Sequence, residues 1–227
     1  MKIQFLGHAA FYVETQAVRF LIDPFLTGNP QATAEIEDFK ELDYIFITHG
    51  HSDHIGDSIE IAKLSGATII SNYEIALYLS SLGVTCHGMH IGGRYRFEFG
   101  TVKMTPALHG SGIQTEKGML YGGNPAGFVI QVDDKKLYHA GDTGLTMDMQ
   151  LLAVEEIDLA MLPIGGNFTM DIEDALRAVD FIQAKKIVPM HYDTFEVIKK
   201  DPKIFIQGLP AGVEGILLDR DEFYLLV

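Results

Sequence analysis

Between residues 48 and 54 the chain reads Thr48-His49-Gly50-His51-Ser52-Asp53-His54, directly after the apolar segment Tyr44-Ile45-Phe46-Ile47. At this chain's own frequencies of His and Asp, the pattern His-x-His-x-Asp-His arises by chance with a probability of about 0.001. A solvated polar loop is the ordinary alternative, and it gives no reason for such crowding. Imidazole and carboxylate suit divalent transition metals, and a strand ending in a tight loop with Gly and Ser can turn several of them toward one point. The fold must therefore bring further donors to the end of this strand.

Short apolar segments, mostly β-branched or aromatic, predict strands over 3–6, 11–13, 18–22, 44–48, 68–71, 102–105, 128–132, 159–162 and 187–190. Helical spacing covers 55–64, 73–82 and 171–183, the last opening on acidic residues that suit a helix N-terminus. Alternating strands and helices predict an α/β or layered α+β class. The two halves share a faint pattern. A strand running to Asp23 precedes the apolar strand behind Asp43, and a strand running to Asp142 precedes the one behind Asp158. This predicts two similar sheets packed face to face, with a site where their loops meet. No linker divides the chain, so residues 1–227 read as one domain, and the Gly-rich tract 110–127 reads as a long functional loop.

Composition removes several function classes. Hydrophobic residues at 47% and charged residues at 21% are those of a chain with a sizeable core rather than a disordered or fibrous one. A net charge of −14 repels phosphate backbones, which argues against a nucleic-acid partner. No stretch approaches the roughly 18 apolar residues of a membrane span, and the apolar start at residues 3–6 is too short for a signal-peptide core. The single cysteine, Cys86, excludes an internal disulfide and fits a reducing compartment, so the expected location is the cytoplasm.

The His-x-His-x-Asp-His run resembles the hallmark of the metallo-β-lactamase superfamily, and the resemblance extends over the whole chain. Later ligands of that superfamily match His109 in Pro106-Ala107-Leu108-His109-Gly110, Asp142 in His139-Ala140-Gly141-Asp142-Thr143, and His191 in Val188-Pro189-Met190-His191-Tyr192. The opening Leu6-Gly7-His8-Ala9, the segment Leu21-Ile22-Asp23-Pro24 and the tracts 121–127 and 165–168 are similar to small metal-dependent hydrolases near the ascorbate-6-phosphate lactonase branch. The resemblance implies a four-layer αββα sandwich of two mixed sheets. It implies one metal on His49, His51 and His109 and a second on Asp53, His54 and His191, with Asp142 and a water or hydroxide between them. Asp53 and Asp142 are the carboxylates it places at the chemistry. The N and O donors fit zinc first, and manganese, iron, cobalt or nickel as well.

Other residues carry weaker arguments. His8, at the end of the first strand, is a candidate contact to the metal ligands or the substrate, or else a structural histidine. Asp23 is expected to orient the ligand loop, and His139 to make a structural hydrogen bond. Asn167 and Tyr192 lie beside predicted site loops and are candidate donors to a developing oxyanion. His87 and His90, near Cys86, read as ordinary surface residues because no further ligand accompanies them.

The expected activity is metal-dependent hydrolysis of a small ester, lactone or phosphodiester by a hydroxide bridging two divalent cations. An iron-dependent oxidoreductase of the same fold and a metal-binding scaffold without catalysis are the rivals. The expected partner is a small molecule, without nucleic acid or membrane, and a homo-oligomer is compatible with the sequence. Nucleases of the superfamily resemble this site but add a large insertion domain, for which 227 residues leave no room.

Overall fold

The computed structural model describes residues 1–227. Strands β1 (Lys2–Gly7), β2 (Ala10–Glu14) and β3 (Arg19–Ile22) form an antiparallel meander, to which β4 (Tyr44–Phe46), β5 (Thr68–Asn72) and β6 (Cys86–Met89) add in parallel. The second sheet repeats the plan. β7 (Arg94–Phe97) and β8 (Gly100–Pro106) precede a separate hairpin, β9 (Gly112–Thr115) with β10 (Gly118–Tyr121). β11 (Ala126–Val132) and β12 (Lys135–His139) then extend the antiparallel part, and β13 (Leu159–Pro163), β14 (Lys186–Met190) and β15 (Glu214–Gly215) follow in parallel. Finally β16 (Tyr224–Leu225) returns to pair with β1, so each sheet has seven strands.

The sheets pack face to face through alternate side chains. Phe46 meets Phe20 of its own sheet at 5.2 Å and Phe128 of the other at 5.3 Å, both edge to face. Such pairs contribute about 0.5–1.5 kcal/mol each beyond area burial. The alternate residues Leu21, Ile45 and Ile69 point outward into a second buried cluster with Ile61, Ile75 and Leu79. Those last three belong to α2 (Ser58–Ser65), which follows the single turn α1 (Ser52–Ile55), and to α3 (Tyr73–Ser80). On the other side α4 (Ile172–Ile182) buries Ala175, Ala178, Val179 and Ile182, with Phe205 of α5 (Pro202–Gln207) in the same cluster. Two mixed sheets with helices outside make this an α/β sandwich of metallo-β-lactamase type. No helix is long and apolar enough to cross a membrane.

The faint internal repeat has a structural cause. Asp43 accepts a hydrogen bond from the Arg19 backbone N–H at 2.8 Å, and Asp158 accepts one from the Lys136 N–H at 2.9 Å. In each half the Asp ahead of a parallel strand thus anchors the start of its neighbour.

Three sequence expectations shift locally. The strand over 44–48 ends at Phe46, because the Thr48 N–H leaves the ladder for Asp23 Oδ1 at 2.8 Å. The helix over 55–64 is split at Gly56 (φ +45°), where Asp57 turns its carboxylate to the Leu26 and Thr27 N–H groups at 2.9 Å. The tract 110–127 is no long loop: it holds β9, β10 and the start of β11. Its glycines hid the alternation, since they leave no side chains to mark the two faces.

Candidate metal centre

Each residue of the centre follows a strand: His8 after β1, Asp23 after β3, His49 to His54 after β4, His109 after β8, Asp142 after β12 and His191 after β14. Several turns are tight. His8, Asp23 and His191 have φ of +58°, +45° and +55°, a region sparsely used by residues with a Cβ and concentrated at functional sites. Gly141 (φ +63°) admits no side chain, since a Cβ there would collide with Ala126 O and press on Thr48 Cβ. Asp142 is delivered by that close approach.

Two groups of donors result. His49, His51 and His109 each offer one ligand atom, all within 4.8 Å of one another, and so do His8, Asp53, His54 and His191. Within the first group His49 Nε2 lies 3.0 Å and His109 Nε2 3.2 Å from His51 Nδ1. Asp142 reaches both groups. Its Oδ2 is 2.9 Å from His191 Nε2 and 3.5 Å from His109 Nε2, and its Oδ1 is 3.4 Å from His54 Nε2.

Hydrogen bonds behind these atoms set the ring orientations. Asp23 accepts from the Thr48 N–H at 2.8 Å, the Thr48 hydroxyl at 2.6 Å and His54 Nδ1 at 2.8 Å. The Thr48 hydroxyl, donating to Asp23, accepts in turn from His49 Nδ1 at 3.0 Å. Both rings are thereby turned with Nε2 inward, the usual device around a ligating imidazole. Asp23 could also form a donor group with His49 and His54, but these bonds already occupy its carboxylate.

Burial and charge act against one another here. Burial alone would depress the His54 pKa, but Asp142 and Asp23 outweigh it and hold the ring well above the ordinary value. Burial would raise Asp142, yet His191 and His54 keep it well below the usual carboxylate range. His49 is pushed well down by burial and then by His54. His8 is pushed down to about 4, chiefly by burial.

The donor set fits cations. His8 Nε2, His54 Nε2, Asp142 Oδ1 and His191 Nδ1 are buried without any hydrogen-bond partner, and such groups cost about 1–3 kcal/mol each when left so. Donors on a tetrahedral cation with bonds of 2.0–2.1 Å lie about 3.3 Å apart. The separations between His49 and His51 (3.0 Å), His51 and His109 (3.2 Å) and His8 and Asp53 (3.3 Å) are of that size.

The remaining histidines and loop residues lie outside the donor groups. His139 Nε2 bonds Ala9 O at 2.9 Å and its Nδ1 accepts the Gly141 N–H at 3.1 Å, so it braces the turn before Asp142. His87 packs against Tyr95 and Phe97, with ring centroids at 4.4 and 4.9 Å, and His90 is exposed. Asn167 is exposed at φ +52°, and the Tyr192 ring stacks on Phe5 at 6.4 Å. Sequence reasoning passed over Thr48, Thr194 and Gln31. Thr48 was findable from its place beside His49, whereas nothing local marks the other two.

A family model described as a beta-lactamase superfamily domain matches residues 18–192. A UPF0173 metal-dependent hydrolase of Alkaliphilus metalliredigens (strain QYMF) is 64% identical over 217 residues, 96% of either chain. The chain belongs to the metallo-β-lactamase superfamily and to its UPF0173 metal-dependent hydrolases. A second such relative, from Carboxydothermus hydrogenoformans, is 50% identical over 228 residues and covers 100% of both chains. Among solved structures, Igni18, a metallo hydrolase of the archaeon Ignicoccus hospitalis, aligns with a TM-score of 0.89 at 38% identity over 98% of this chain and 97% of its own.

Proposed function

We propose that residues 1–227 form one hydrolase domain that binds two divalent transition metal cations and cleaves a small ester, lactone or phosphodiester. His49, His51 and His109 would hold one cation, Asp53, His54 and His191 the other, and Asp142 would be shared. The observation that carries this reading is the carboxylate of Asp142, whose two oxygens face His191, His109 and His54 at 2.9–3.5 Å. When bound, a cation pair lowers the pKa of a water toward 7 and polarises the substrate oxygen. Zinc is the first candidate, and manganese, iron, cobalt and nickel suit the same donors.

The chain's own groups do the positioning. Asp23 and Thr48 hold the His54 and His49 rings in orientation. Asp53, whose side chain is 30% exposed while Asp142 is 3% exposed, is the carboxylate open to solvent and able to orient an attacking water. Leu108, 63% exposed and next to His109 in the chain, and Phe195, 41% exposed with its ring 5.6 Å from His8, are exposed apolar side chains near the centre. Such side chains suit the carbon skeleton of a small substrate. Asn167 and Tyr192 remain candidate oxyanion donors from neighbouring loops. The charge of −14 opposes a nucleic-acid substrate, and one free thiol, Cys86, suits the cytoplasm.

The test is elemental analysis of protein saturated with zinc or manganese, followed by a panel of esters, thioesters, lactones and phosphodiesters. Two equivalents per chain and metal-dependent turnover of one class are expected. A ceiling of one equivalent would overturn the dinuclear reading. Oxygen uptake by the iron form, with no hydrolysis by any form, would favour the oxidoreductase instead.

A further inference from the structure

His8 is fully buried, and its two ring nitrogens face different partners, Thr194 on one side and Asp53 on the other. Gln31 Nε2 donates to Tyr192 O at 3.1 Å, so Gln31 Oε1 is an acceptor, and it takes the His8 backbone N–H at 3.1 Å. The Thr194 hydroxyl donates to that same Oε1 or to Tyr192 O, each at 3.4 Å. Donating to either, it is free to accept from His8 Nδ1, 2.9 Å away. This is the arrangement of His49 with Thr48 and Asp23: imidazole N–H to threonine hydroxyl to fixed acceptor. Nε2 is left with its lone pair, has no hydrogen-bond partner, and faces Asp53 Oδ2 at 3.3 Å. With the proton on Nδ1, both atoms are acceptors, and at that distance they repel unless a cation joins them.

We propose that His8 is a direct ligand of the second cation, completing a set of four donors with Asp53, His54 and His191. The inference rests on the dinuclear reading above and adds an asymmetry to it. The second cation has four donors of its own besides the shared Asp142, whereas the first has three, His49, His51 and His109. Closed coordination belongs to structural sites, and catalytic sites keep a position open. The substrate oxygen is thus assigned to the side of His51 and His109, which are the less buried pair among the histidine donors.

The test uses the full chain loaded with cobalt(II), with metal content read by elemental analysis and coordination read from the visible absorption spectrum. His8→Asn suits the position because Asn tolerates positive φ, and melting of the metal-free variant checks its fold. Thr194→Val keeps the imidazole and removes the hydroxyl that fixes its tautomer. Wild type should take two equivalents. His8→Asn should retain the first and bind the second at least about a hundredfold more weakly, with a changed spectrum for that equivalent. Thr194→Val should weaken the second about tenfold, within the range for partners of a metal ligand. Unaltered retention and spectrum of the second equivalent in His8→Asn, or equal weakening of both, would overturn the role of His8 while leaving the dinuclear reading intact. A wild-type ceiling of one equivalent would remove both.

Discussion

Asp142 and Asp148 stand six positions apart and differ in everything that matters to the centre. Asp142 is 3% exposed and faces three imidazoles, while Asp148 is exposed and accepts only from Thr146, through its hydroxyl at 3.0 Å. Asp142→Asn barely changes volume but removes the negative charge shared by both donor groups, so hydrolysis should fall at least about a hundredfold and the second cation should be held more weakly. Asp148→Asn should change neither. Wild-type turnover and metal content in Asp142→Asn would remove its bridging role. The contrast between His8 and His139 shows where one-dimensional reading stops: both are lone histidines at strand ends. One has an inward lone pair and the other is consumed by Ala9 O and the Gly141 N–H. Hydrogen bonds to partners 130 and more positions away decide between them.

At the scale of elements, the 3-10 helix over Met147–Glu155 follows Asp142 and is clamped to the sheet edge at its far end. Glu155 accepts from Arg94 at 2.8 and 3.0 Å and from Lys103 at 2.7 Å. Burial would raise its pKa, but Lys103 and Arg94 outweigh burial and lower it below the ordinary value of 4.5. The stability this clamp contributes is therefore present above about pH 4.5 and lost as pH falls through the depressed folded value. In urea titrations from pH 6 to pH 3, wild type should lose about 1 kcal/mol more than Glu155→Gln. Parallel pH curves for the two proteins would show that the clamp contributes nothing. The major elements were legible because nine apolar runs coincide with strands and α4 has its acidic start. The two-residue strands β15 and β16 and the exposed β7 were not, since strands so short or so wet carry no apolar period.

For the molecule as a whole, the centre draws donors from both sheets, so cations should act as a staple between them. Binding only to the folded state at a hundred times Kd contributes about 2.7 kcal/mol, or about 5–10 °C in Tm for a chain of this size. Chelation should reverse the gain, and a metal-independent Tm would contradict such a staple. The net charge of −14 makes a second whole-molecule prediction. Duplex DNA should show no tight complex at physiological salt by anisotropy, because few cationic side chains are available to release counterions.

The sequence by itself determined the chemistry of the centre and the class of the fold. Ligand types are irreplaceable for their chemistry, and the run from His49 to His54 crowds four of them into six positions, while period-two apolar runs mark buried strands wherever they fall. The resemblance already implied how those donors divide and that Asp142 lies between them; only the tertiary structure set their separations and put His8 beside Asp53, His54 and His191. Grouping depends on where six strand ends meet in space. It depends equally on distant partners such as Thr194 and Gln31, which set the direction of a lone pair and leave no periodicity in the chain to read.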